Sequence, residues 1–75
     1  MKRIIQFHIY QGDASFIAEG VDISVVTQGK TLDELTVNIQ EAVALHLEGE
    51  NLAELGIAPQ PSIMLSMELP APAYV

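Results

Sequence analysis

Between residues 25 and 50 the chain reads VVTQGKTLDELTVNIQEAVALHLEGE, and partway along its apolar spacing changes from one regular element to another. That change constrains the fold more than any other feature. Residues 25–29, VVTQG, form a β-branched strand closed by Gly29. Beyond it, Leu32, Leu35, Ile39, Ala42, Val43, His46 and Leu47 gather in one stripe about 140° wide at 100° per residue, the mark of a helix with one buried side. Thr31 and Glu34 spell a capping box, in which the hydroxyl accepts from the Glu34 N–H and the carboxylate reaches back to the Thr31 N–H. Asp33 and Glu34 sit where the helix dipole favours negative charge, and Gly49 supplies a left-handed stop. The rod expected from Thr31 to Glu48 is about 27 Å long, enough to cover a small sheet.

The flanking segments supply that sheet. In KRIIQFHIY, Ile5, Phe7 and Ile9 share one face while Gln6, His8 and Tyr10 share the other, a half-buried strand. QGD (residues 11–13) reads as a turn with Gly12 free to take positive φ, and SFIAEG as the second arm of a hairpin. Downstream, NLAELG is a single helical turn capped by Asn51, with Glu54 completing its box and Gly56 ending it. IAPQP is an extended connector, because proline disfavours helix at the residue before it. SIMLSMEL puts Ile63, Leu65, Met67 and Leu69 on one face of a fourth strand. Pro70 and Pro72 halt further pairing, and the tail APAYV is expected to fray. The predicted fold is a single α+β domain over residues 1–75: three antiparallel strands, a long helix, a short helical turn and a fourth strand (β-β-β-α-β), with the sheet covered on one face.

Size and charge narrow the function. A chain of 75 residues hides only roughly 60–65% of its unfolded surface, so its core is marginal. Without cysteine it has neither a disulfide nor a thiolate zinc site, and self-association is a common source of the missing burial. No apolar run reaches the ~18–20 residues that span a bilayer, and the alternating start does not read as a signal peptide. The expectation is a soluble, cytoplasmic protein with no membrane partner. A net charge of −7, with Lys2, Arg3 and Lys30 the only Lys or Arg residues, argues against direct nucleic-acid binding.

Reactive constellations are not evident. His8 and His46 lie in no metal motif; His46 falls mid-stripe, where a neutral, hydrogen-bonded packing histidine is the simpler reading. Ser15, Ser24, Ser62 and Ser66 lack a nucleophile setting, and no glycine-rich phosphate loop occurs. The sequence therefore predicts no catalytic residue, no metal ligand, no cofactor and no enzyme activity. Glu34, Glu41 and Glu48 recur every seven residues with about 20° of drift per step, making one acidic stripe. Consecutive members lie about 10 Å apart along the axis, too far to share one ion. That spacing also approximates the Debye length at ~0.1 M salt, so the stripe can simply be solvated. The other reading is a docking surface for a basic protein. One-sidedness favours it: Asp33, Glu34, Glu41, Glu48, Glu50 and Glu54 have no Lys or Arg among them, whereas mixed signs would add i,i+4 pairs.

The order and spacing of FIAEG, VVTQG, Thr31, Glu34, Asn38, Ile39, Glu41, Ala42 and Leu47, followed by GIAPQP, resemble the HicB-type antitoxin family over about residues 4 to 69. That resemblance implies a partial ribonuclease-H-like fold without nuclease activity, since a two-metal nuclease needs convergent carboxylates and residues 3–10 contain none. It also implies that the domain binds and blocks a small basic mRNA-cleaving toxin of the HicA type. Glu19, Asp22, Asp33, Glu34, Glu41 and Glu48 are the candidate partner-binding residues. The chain departs from the family in its loop, GVDIS, where a cysteine or proline is usual. Many members also carry a C-terminal DNA-binding domain; this sequence ends at Val75, so operator binding is not among the expectations. An alternative is an orphan structural domain that forms a homo-oligomer, a dimer or higher. Ile4, Ile17, Val26 and Met64 motivate it, because they cannot all fit beneath one helix.

Overall fold

The computed structural model describes residues 2–69, 71 and 72, without the Lys2 side chain. Its elements run β1 (Lys2–Gln11), β2 (Phe16–Gly20), β3 (Val26–Gly29), α1 (Leu32–Leu47) and β4 (Ile57–Met67). The four strands form one mixed sheet in the order β3-β2-β1-β4. Both β1–β2 and β2–β3 are antiparallel, while β4 returns parallel to β1. The α+β class and the β-β-β-α-β order are those predicted from the sequence.

Alternation places Ile5, Phe7 and Ile9 of β1 on the helix-covered face with Ala18 of β2, and all four are buried. Leu35, Ile39 and Val43 of α1 close over them, with Val25 and Ile57 completing the core. Among the described residues, only Phe7, Leu35 and Ile39 are large side chains with essentially no exposure. A core this small leaves little margin.

The helix seat depends on Gly29. A Cβ there would stand 2.6 Å from the Leu35 nitrogen and 2.8 Å from its Cα, so only glycine admits this approach. Asn38 adds a tether, donating its side-chain amide to the Gln28 carbonyl at 2.7 Å. The backbone of α1 thus comes close to β3 and β2, not to β1 or β4.

Several expectations need correction. The stripe is narrower than predicted: Leu32 is 46% exposed and His46 is exposed, so His46 is not a packing histidine. A helix of 16 residues, about 24 Å, outruns strands of four and five residues, about 13–17 Å, so with its first turn seated on β3 its C-terminal end is left unsupported. The Glu34 carboxylate accepts from the Lys30 N–H at 3.1 Å rather than from Thr31; the other half of the box holds, with the Thr31 hydroxyl accepting from the Glu34 N–H at 3.0 Å. Gly12 does not take positive φ; its turn closes through its N–H to the Ser15 carbonyl at 2.7 Å. Gly49 and Gly56 do stop their turns in the left-handed region, each at φ +73.

The second turn is capped by Asn51, whose Oδ1 accepts from Ala53 and Glu54 N–H; no hydrogen bond of the Glu54 carboxylate completes a box. IAPQP is no separate connector. Ile57 already pairs with Lys2, and the register then slips before Ile4 meets Ser62, with Gln60 at φ 51. Both prolines are tolerated because β4 is an edge strand. The strand ends at Met67, short of Leu69, which is 77% exposed. Pro72 lies beyond it, while Pro70 and the tail from residue 73 fall outside the described residues.

Gly29→Ala is expected to cost about 1–3 kcal/mol, because the new methyl group meets helix backbone, which cannot swing aside. Urea unfolding followed by circular dichroism reads this as a lower midpoint at unchanged slope.

Candidate functional site

The register divides the candidate acids between two faces. Glu19 of β2 lies opposite His8 and Val26, on the face away from the helix. Asp22 is exposed in the β2–β3 loop, beside a shallow groove also lined by Glu19, Ser24 and Val26. Asp33 and Glu34 occupy the first turn of α1, Glu41 lies midway along it, and Glu48 is its C-cap with extended backbone (φ −61, ψ 128). All six are exposed. The structure brings Asp33 and Glu34 together at one helix end but does not gather the six into one surface.

Their local roles differ as well. Glu34 is partly structural, because its carboxylate holds the Lys30 N–H at the helix entry. Asp33 uses its backbone carbonyl to accept from the Thr36 hydroxyl at 2.8 Å, leaving its carboxylate in solvent. Glu48 sits where the helix dipole disfavours an anion, so helix stability does not explain its charge. Among the described residues, Glu19, Asp33, Glu41 and Glu48 have no ion-pair partner. The acidic side of the helix is therefore not neutralised within the described part of the chain.

The opposite face carries a different chemistry. Ile4, Gln6, His8 and Tyr10 of β1 alternate outward, joined by Ile17, Val26, Met64, Ser62 and Ser66 from the neighbouring strands. The sequence requires only that Ile4, Ile17, Val26 and Met64 not all fit beneath one helix; the register places all four on the face away from it, and Val26 is 65% exposed. The His8 and Tyr10 rings stack with centroids 6.3 Å apart, and the Ser66 hydroxyl donates to the Phe7 carbonyl at 3.3 Å. His46 borders a shallow groove with Asp22, Ser24 and Leu55. No group of three or more His, Asp or Glu converges on a metal position among the described residues.

Sequence reasoning missed a further feature. Between α1 and β4 runs an open groove lined by Thr36, Ile39, Gln40, Pro61, Ile63 and Leu65. It exists because the helix is seated toward β3, leaving the β4 side of the covered face without a lid. The signal was present in part: Gly29 marked a close approach, but only the strand order shows that β4 lies on the far edge.

Replacing Glu34 with Ala is expected to lower stability by about 0.5–1 kcal/mol through its cap, whereas Glu41→Ala stays within about 0.5 kcal/mol. Parallel urea titrations of the two variants check the difference; equal losses would contradict it. Compared with known proteins, the chain matches no family model, no curated protein and no solved structure. No described helix is long and apolar enough to cross a membrane.

Proposed function

We propose that this chain is a non-enzymatic, cytoplasmic protein-interaction module of the HicB antitoxin kind. It binds and blocks a small basic mRNA-cleaving toxin of the HicA type. The observation that carries this reading is the exposed run of Asp33, Glu41 and Glu48 along one packed helix, without ion-pair partners among the described residues. The motif order resembles that family's, which supports the reading, and the charge gives a physical reason for the partner. An acidic rod attracts a surface built to hold RNA phosphates, speeds encounter and competes for the substrate's place. With a net charge of −7, the chain itself has little affinity for RNA.

A second reading is a structural homo-oligomer. It is favoured by the apolar residues on the open face and by an edge strand that no other element covers. The two readings use different surfaces and are compatible.

The test is to purify the chain with the product of a short basic reading frame sought beside its own and to follow RNA cleavage. Cleavage should fall on mixing, and the complex should weaken as salt rises. Combining Asp33→Lys, Glu41→Lys and Glu48→Lys should slow association at least tenfold, with the circular dichroism spectrum unchanged. Undiminished cleavage at micromolar excess, or binding indifferent to both salt and charge reversal, would remove the reading.

A further inference from the structure

We propose that the outer edge of β4 pairs antiparallel with the same edge of a second copy, on a two-fold axis through Met64, joining two four-stranded sheets into one of eight strands. This deepens the homo-oligomer reading and rests on it, but not on the toxin reading.

The first observation is an unguarded edge. β4 is an outermost strand, and β1 is the one element whose backbone lies close to its own. Sheet edges are commonly protected by shortness, charge, proline or a bulge. The opposite edge, β3, is only four residues long. The first part of β4 carries Pro59, Pro61 and the distorted Gln60. From Ser62 to Met67 none of these devices is present: SIMLSM has no charge and no proline.

The second observation is self-complementarity. Read outward from Met64, the sequence is nearly the same in both directions: Ile63 and Leu65 flank it, then Ser62 and Ser66. An antiparallel two-fold centred there sets Met64 against Met64, Ile63 against Leu65, and Ser62 against Ser66. Such self-matching is what an isologous interface requires. Opposed residues also share parity, so their side chains emerge on the same face and the outward N–H and C=O groups of the two copies meet. The pairing places apolar Ile63 and Leu65 together on the helix side and puts the two methionines in contact on the open side. Leu65 is 38% and Met64 is 49% exposed in the single chain.

Charge selects a second copy as occupant. Two chains of net charge −7 repel, and they approach best where neither presents a carboxylate. The stretch from Ile57 to Met67 is the longest strand and contains no charged residue. A cationic partner would instead be drawn to the helix acids. Because α1 is seated over β3 and β2, it does not obstruct the β4 edge.

The experiment uses the full chain, which has no native cysteine. In Met64→Cys, one thiol meets its own symmetry mate at a cross-strand separation close to disulfide geometry. Under mild oxidation it should cross-link at least tenfold faster than Val26→Cys, placed on the other edge, and the linkage should reverse with reductant. Sedimentation of the unmodified chain should give twice 8.1 kDa, and Met64→Lys should restore the single mass without altering the circular dichroism spectrum. If Met64→Lys fails to fold, the cysteine comparison still decides. A dimer that persists in folded Met64→Lys, or faster linking at Val26→Cys, overturns the β4 pairing while leaving the homo-oligomer reading intact. A strict monomer at millimolar concentration overturns both.

Discussion

The missing side chain at Gly29 fixes where the helix can lie. With no Cβ in the way, the first turn of α1 settles onto the end of β3 at a distance that any other residue would forbid. The Asn38 tether to the Gln28 carbonyl holds the next turn over the same strand. Leu35, Ile39 and Val43 then fall above Phe7 and Ala18, and the core forms there. The cost of this placement appears at the other side of the sheet. A single helix seated toward β3 leaves Ile63 and Leu65 of β4 half-covered or exposed, with an open groove between.

Electrostatics and burial then separate the surface into two kinds. The helix and its flanks concentrate carboxylates that, Asp22 and Glu34 aside, lack protein partners among the described residues. The β4 strand concentrates apolar and hydroxyl side chains with no charge at all. A small domain with few fully buried side chains gains stability by covering apolar surface. Here the uncharged strand is where such covering meets least repulsion, and the acidic helix remains available to a cation. The proposed toxin contact and the proposed self-contact therefore need not compete.

Much of this architecture was legible in the sequence, for local reasons. The alternation of Ile5, Phe7 and Ile9 against Gln6, His8 and Tyr10 fixed the faces of β1, and Thr31 with Gly49 bracketed the helix. What escaped depended on neighbours in space. Pro59 and Pro61 read as part of an extended connector because proline disfavours helix at the residue before it, yet an edge strand needs fewer N–H donors and takes both into its pairing. His46 has the right helical angle for burial, but the strands beneath are too short to support it. Glu19 and Glu34 are both candidate partner-binding residues in the sequence. Strand register put the first on the opposite face, and the helix entry drew the second into a cap.

Residue-resolved amide hydrogen exchange, measured on dilute and concentrated protein, tests most directly whether a half-lidded sheet leaves one edge open. At low concentration, amides of β1 and the middle of α1 should be protected while alternate amides between Ser62 and Met67 exchange freely. At high concentration that alternating set should become protected as well. Uniform protection of β4 at every dilution, or rapid exchange throughout α1, would contradict the placement of the helix and the open edge together.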